Sequence, residues 1–450
     1  MTEPLAPPTA TPSSPSAHPA AAPSSPSRTV LPATPPPRPG ASSPRIYWLT
    51  EGYFPPQLGG LELMVARLSE GLAARGLEVH VITRQPDSAC SREEYISGVH
   101  VRRIRPAGLL KGTGWRALPL ILAYLVRLAF MLVREARRYD VVIVSGLKVI
   151  PLVAVPLCQM LGKRCIVRVE STYELLEPVS AKSLSGMKGP LGQLVQRGSE
   201  WVQRMMLAHA DCVIATSNEL GEMVRDAGVK PEKISMICNA VDLRRFHPVL
   251  GREKDRLRQE LHLPRRATIV LFAARLSRAK GINVLVEAWP QLAARHSDLC
   301  LVIVGSGTGS FDDCETELVD FLQLTGLGGT QVLMHGASDR VDRYLQAADL
   351  YILPSEYEGF GVGVIEALAT EIPVLATPVG VVPQLIHDGD NGFVFPARNG
   401  PALIEAIETA LAARNRWPEI VKRARRAVSS MDVGAVVQQY IRLCSELIKH

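Results

Sequence analysis

The chain has 450 residues, 47% of them apolar and 21% charged, and carries a formal net charge of +6. That is ample length for two buried cores, and domains of roughly 100–200 residues make two folded units plus a tail the natural expectation. So mild a charge excess points to no nucleic-acid partner.

Aromatics are sparse at 5%, as expected for parallel sheets wrapped in helices. The eight cysteines form no CxxC pair. Zinc spacing is therefore absent, and reduced thiols in a cytoplasmic protein are the natural reading.

Residues 1–44 hold 14 prolines and three charged residues, Glu3, Arg28 and Arg38. Such a segment buries too little apolar surface to offset its ordering entropy, so a disordered tail is expected. It has no charged start followed by an apolar core, so no secretory signal is read there. Order is expected from Arg45.

Ile46–Thr50 reads as a buried strand. A loop with Pro55, Pro56, Gly59 and Gly60 follows. Leu61, Met64, Val65, Leu68 and Leu72 then recur at helical spacing, and Leu77–Thr83 is the next strand. This is a βαβ unit. Ala117–Val133 is apolar but contains Pro119 and Arg127, so it falls short of the ~20 apolar residues of a spanning helix. A buried or interfacial helix fits it. Between Arg102 and Arg138 stand nine basic residues and one acid, Glu135, a local net of 9 − 1 = +8. Residues 102–138 therefore mark a possible contact with an anionic membrane surface, or a solvated basic face.

Strands follow at Val141–Ser145, Cys165–Val169, Cys212–Ala215 and Met236–Cys238. The stretch from Asn239 to Arg265 is polar, with Pro248 and Pro264, and reads as an irregular interdomain connection. The pattern then restarts. Strands are expected at Thr268–Phe272, Cys300–Val304, Val332–His335, Leu350–Leu353 and Pro373–Thr377, and helices at Ile282–Ala294, Val341–Ala347, Val362–Thr370 and Pro401–Arg414. Two α/β halves imply two doubly wound sheets facing a cleft. The expected boundaries are 1–44 for the tail, 45–240 for an N-terminal domain and 241–430 for a C-terminal domain. A final helix over 431–450 is expected to pack back on the first domain.

Four loops carry chemistry. In the first, Pro354 through Ala367, a Gly-rich turn with Phe360 and Gly361 leads into a helix opening at Val362. Its free N–H groups suit a diphosphate. Glu358 in the loop and Glu366 in the helix could each accept two hydroxyl hydrogen bonds. Glu366 stands among apolar residues and needs a partner. In the second, Arg275 and Lys280 follow a strand and could converge on one phosphate pair. The third is Gly59-Gly60 before a helix, which allows close backbone approach to a phosphate. The fourth is Gly305-Ser306-Gly307, open enough for a flat ring.

In this order and spacing, these pieces resemble the retaining glycosyltransferases of the GT-B fold, specifically family four. Tyr53 through Gly60 resembles that family's opening loop. Asn239-Ala240-Val241-Asp242 with Phe246-His247-Pro248 resembles its hinge. Arg275 with Lys280-Gly281 matches its diphosphate pair, and Glu358 with Glu366 its two spaced acids.

The resemblance implies two Rossmann-like domains. It implies a donor linked to a nucleotide diphosphate, UDP or GDP, and an acceptor hydroxyl on a glycan, a lipid-linked carrier or a small molecule. It implies no cofactor and no metal, since the two cations would stabilise the departing phosphate. Glu366 would hold the ribose and Glu358 the transferred sugar, with Gly60 helping from the other domain. The loop at Gly305 and Gly307 and the segment His335–Val341 would frame the base.

Many members carry a His after the strand here ending at Val169. Glu170 stands there, and is the candidate for that catalytic role. Glu371 replaces a usual Gly, and Gln384 a usual Glu. A sugar-nucleotide epimerase or phosphorylase shares this architecture, and a non-catalytic nucleotide-sugar binder would too. The cation and acid pairs favour transfer. A cytoplasmic location is expected, with peripheral contact at the inner face of the membrane as its extension.

Overall fold

The structure is a computed structural model that describes residues 44–53, 59–86, 89–105, 118–171, 175, 190–307 and 312–449. The tail reading over 1–43, the opening-loop residues Phe54 to Pro56 and residues 106–117 within the basic segment lie outside the described residues.

Two sheets organise the chain. The first half runs β1 (Arg45–Leu49), α1 (Gly60–Ala73), β2 (Glu78–Arg84), β3 (Glu93–Ile96), β4 (Val99–Ile104), α2 (Leu118–Arg134), β5 (Val141–Ser145) and α3 (Pro151–Met160). It continues β6 (Arg164–Val169), α4 (Pro190–His209), β7 (Cys212–Ala215), α5 (Asn218–Asp226) and β8 (Ile234–Met236). Its sheet order is β3-β4-β2-β1-β5-β6-β7-β8.

The second half runs α6 (Arg252–Glu260), β9 (Thr268–Ala273), α7 (Ile282–Arg295), β10 (Leu299–Val304), α8 (Glu315–Thr325), β11 (Val332–Met334), α9 (Val341–Ala347) and β12 (Leu350–Leu353). It closes with α10 (Val362–Ala369), β13 (Val374–Ala376), α11 (Val382–Leu385), β14 (Phe393–Val394), α12 (Gly400–Ala412), α13 (Trp417–Ala427) and α14 (Val433–Lys449). Its sheet order is β11-β10-β9-β12-β13-β14. Strands such as β5 and β10 are buried along their whole length, as expected for a sheet covered on both faces.

Two readings need correction, and among the described residues the parallel order of the first sheet has one exception, the edge strand β3, which runs antiparallel on β4. That hairpin turns on Ser97 and Gly98, both at positive φ, and its polar sequence hid it. The stretch from Asn239 to Arg265 is not irregular throughout. It contains α6, a charged helix that buries Leu257 and the stem of Arg258; the latter pairs with Asp349 at 2.6 Å. The +8 of residues 102–138 is also partly cancelled. Two acids from outside the segment do this, Glu93 on Arg102 and Glu94 on Arg103; Arg102 also pairs with Glu135, already counted.

Both sheets change winding direction between two central neighbours, β1/β5 in the first and β9/β12 in the second. Loops leaving the carboxyl ends of such neighbours diverge and leave a crevice. The chain also crosses back. Val241 N–H donates to Met431 O at 2.9 Å, and Val433 N–H donates to Val241 O at 3.1 Å. Helix α14 then buries Val436, Val437, Tyr440 and Cys444 in the first lobe's core. Gly71 on α1 permits this contact, since a Cβ there would lie 2.7 Å from Val437.

Glu371, where a Gly was usual, has φ 57°. That left-handed conformation costs a non-Gly residue roughly 1–2 kcal/mol.

Candidate active site

The site forms where β9 and β12 lie side by side. Their pairing brings the loop after Ala273 against the loop after Leu353, although 78 residues separate Lys280 from Glu358. Glu356 N–H donates to Ala279 O at 2.9 Å. Gly281 closes the first loop at φ 69°, and a Cβ there would fall 1.9 Å from Pro354 O. Only glycine meets both demands.

Lys280 Nζ lies 2.7 Å from Glu358 Oε1, and Ser355 Oγ donates to the same oxygen at 2.9 Å. Thr377 in turn holds Ser355 O at 2.5 Å. The Glu358 carboxylate is thus fixed by two donors at the mouth of α10. Phe360 is buried, its carbonyl accepting from Val381 N–H. Gly361 takes φ 96° at the helix cap, and Val362 opens α10 against both cores. The first turn of α10 therefore aims its unpaired N–H groups at the crevice.

Glu366 lies on α10, 9% exposed, and its partner comes from the other lobe. Arg67 on α1 reaches it with Nη2 to Oε1 at 3.0 Å. Arg67 Nη1 also donates to Ala240 O at 2.8 Å, and its guanidinium lies 5.7 Å from the Phe246 ring centroid. One side chain thus joins α1, the interlobe connection and Glu366. Burial raises the Glu366 pKa, and Arg67 opposes the rise.

Arg275 is exposed, with no ion pair or side-chain hydrogen bond among the described residues. Its loop backs onto the loop of Gly305 and Gly307. Leu276 N–H donates to Ser306 O at 3.1 Å, and a Cβ on Gly305 would lie 1.9 Å from Ala274 O. Gly307 is also confined, its N–H donating to Glu315 at 2.6 Å. From the first lobe, Gly59 caps α1 and Gly60 leaves open space where a side chain would stand.

Glu170 follows β6 and meets the second lobe through its backbone. A Cβ on Gly359 would sit 2.4 Å from Glu170 O. Its carboxylate is engaged by Arg168, which is fully buried and donates also to Asn239 Oδ1. Burial raises the Glu170 pKa, and Arg168 opposes it.

A cavity of about 540 Å³ opens beside Glu358. The start of α5 lines it with Asn218, Glu219 and Glu222, and the second lobe adds Glu356 and Gln384. Sequence reasoning passed over Arg67, Arg168 and α5. A charged residue inside an apolar helical repeat, Met64 to Leu68, was the available signal for Arg67. Arg168 stood inside a strand with none.

Residues 253–427 match the family described as Glycosyl transferases group 1, and residues 58–245 match Glycosyltransferase Family 4. The D-inositol 3-phosphate glycosyltransferase of Rhodococcus opacus is 29% identical over 381 residues, spanning 82% of this chain and 81% of its own. The sucrose-phosphate synthase of Thermosynechococcus elongatus superposes with a TM-score of 0.72 at 25% identity, over 90% of this chain and 99% of its own. HepE of Anabaena, solved with UDP-glucose, has a TM-score of 0.67 at 20% identity, over 90% and 100%.

Proposed function

Because the chain belongs to the family four glycosyltransferases of the GT-B fold, we propose that it moves a sugar from a nucleotide-diphosphate donor to an acceptor hydroxyl, retaining anomeric configuration. The observation that carries this reading is the convergence of Lys280 and Glu358 at the mouth of α10, with Glu366 on the same helix.

In this reading the diphosphate lies over the first turn of α10. Lys280 and the unengaged Arg275 face its charge, with Gly59 and Gly60 approaching from α1. Glu366 accepts from the ribose hydroxyls, and the loop of Gly305 and Gly307 frames the base. Glu358 holds the transferred sugar. As the glycosidic C–O bond to the phosphate breaks, the departing oxygen gains charge. Arg275, Lys280 and the helix dipole stabilise it without a metal ion. That same oxygen then takes the proton of the acceptor hydroxyl, which adds to the anomeric carbon on the face the phosphate left.

HepE was solved with UDP-glucose, which supports a nucleotide-sugar donor here. The cavity beside Glu358 is the acceptor side. Its lining carries Glu219 and Glu222, with Glu356 paired to Arg398, and the two acids favour neutral polyol acceptors over phosphorylated ones.

The test is transfer measured over a panel of UDP- and GDP-sugars with Glu358→Ala. Loss of transfer with donor binding retained is expected. A variant as active as wild type removes Glu358 from the reaction.

A further inference from the structure

We propose that the outer face of α2, α3 and α4 is a docking surface for an anionic lipid bilayer. The proposal concerns a surface outside the cleft, and its test reads binding rather than transfer.

Helix α3 packs between α2 and α4 on one face of the first sheet. Tyr124, Leu128 and Leu132 point inward from α2 and are buried. At about 100° per residue, Leu122, Val126, Phe130 and Val133 share an arc of about 80° on the opposite side. Those four side chains are 63%, 59%, 66% and 50% exposed. An ordinary surface helix turns charge outward at these positions. Here the outermost stripe of α2 is apolar. Helix α4 adds Leu194 and Trp201, seven residues apart and both exposed, and α3 adds Met160. Exposed apolar groups that recur on three adjacent helices form a patch and not scatter.

The charge around the patch is predominantly positive. Arg127 and Arg134 flank the stripe on α2, Arg137 and Arg138 follow it, and Arg197 and Arg204 flank Leu194 and Trp201 on α4. All six are exposed, and no ion pair among the described residues holds any of them. Of the nearby acids, Glu135 is turned inward, accepting from Tyr47 and Arg102, and Glu200 beside Trp201 accepts from Gln196, so six arginines stand against one outward acid. The cations that remain free therefore frame the apolar stripe. The ion-paired Arg102 and Arg103 do not contribute.

An apolar stripe with an exposed Trp and arginine flanks is the pattern of a helix face that lies in the bilayer interface. No helix among the described residues is long and apolar enough to cross a membrane, so the contact is superficial. A second copy fits less well. A two-fold interface would bring this patch onto itself and face six arginines with six more.

The full chain is floated with vesicles of phosphatidylcholine alone and of phosphatidylcholine with phosphatidylglycerol. Wild type is expected to float with the second and not the first, and to release as salt rises. Val126→Ser/Phe130→Ser/Trp201→Ser should abolish flotation. Arg127→Glu/Arg134→Glu/Arg204→Glu should lower the membrane partition on the order of 100-fold, at about fivefold per arginine. All six positions are exposed, so thermal unfolding should match wild type. Trp201→Ser alone gives a smaller loss of the same sign, should the triple variant not fold. The proposal is overturned if wild type ignores anionic vesicles, or if both triple variants float as wild type does. It is equally overturned if wild type is a dimer that the serine changes dissociate, which would give the face to a second copy.

Discussion

The two lobes share a winding pattern, yet their strand ends carry different things. In the second lobe the loops after β9 and β12 carry opposite charges that meet, Lys280 on Glu358 at 2.7 Å. In the first lobe the loop after β1 ends in two glycines, and the end of β6 carries an acid already held by a buried arginine. One lobe presents side-chain chemistry to the crevice, and the other presents mainly backbone, space and a strut. The difference predicts that damage in the second lobe falls on turnover, and damage in the first on stability and on alignment of the lobes.

The largest effect is expected at the charged pair. Lys280→Ala removes a fixed cation from the departing phosphate and frees the Glu358 carboxylate. Turnover should fall roughly 100- to 1,000-fold, the size found when one preorganised electrostatic group is lost. Steady-state transfer with saturating nucleotide sugar measures this. A change confined to KM would make Lys280 a binding residue alone and weaken the contrast between the lobes.

Glu170→Gln sharpens the contrast from the other side. The variant leaves Arg168 buried without its counter-charge. Removing one partner of a buried ion pair costs about 3 kcal/mol. Denaturant unfolding should show that loss, with donor KM little changed. If stability holds and turnover collapses, the carboxylate acts on the sugar directly, as the family resemblance suggests, and the strut reading fails.

The asymmetry also explains what the sequence made legible. Lys280 and Glu358 were visible because charges in Gly-rich loops after apolar strands have few structural reasons to be there, and Glu366 because a carboxylate among apolar helical residues needs a partner. Strands such as Val141–Ser145 and Leu350–Leu353 were visible because full burial leaves an unbroken apolar run. The antiparallel β3 was not, since an edge strand reading EEYI is polar and short. Arg67 and Arg168 were hidden for a different reason. Each has a partner more than 70 residues away, Glu366 and Asn239, which no local pattern encodes, and the nearer partner of Arg168, Glu170 at i+2, was read as a catalytic candidate instead. The outer face of α2 lay between. Its apolar and basic composition was plain, but composition cannot say which side chains point outward.

Gly281→Ala tests whether backbone in the second lobe matters as much as charge. The residue is left-handed, and a Cβ would overlap Pro354 O. Strain of this kind costs about 1–3 kcal/mol, so a stability loss near 2 kcal/mol is expected from thermal unfolding. The two loops should also separate, raising donor KM. If stability falls and donor KM holds, the loops find each other without the tight turn.

The smallest effect is the most informative about how the lobes cooperate. Arg67 lies on the first lobe, yet it neutralises Glu366 on the second. Burial raises the Glu366 pKa and Arg67 pulls it down. Arg67→Ala therefore lets the pKa rise further, and the ionised form that accepts from a ribose is lost at a higher pH. Donor KM should increase about tenfold at neutral pH, a difference of about 1.4 kcal/mol, and less at alkaline pH. The acid limb of kcat/KM should move upward. The stability sign runs the other way. A carboxyl whose folded pKa is raised is best accommodated when protonated, so stability falls as pH rises through that pKa. Without Arg67 the fall should be steeper, because the buried charge then forms unpaired. Arg67→Lys keeps the charge and loses the forked contact to Ala240 O, and so should restore the pH profile while leaving part of the KM defect. A pH-independent KM change in Arg67→Ala would make the contact mere packing between lobes, and Glu366 would then be ionised by its own lobe.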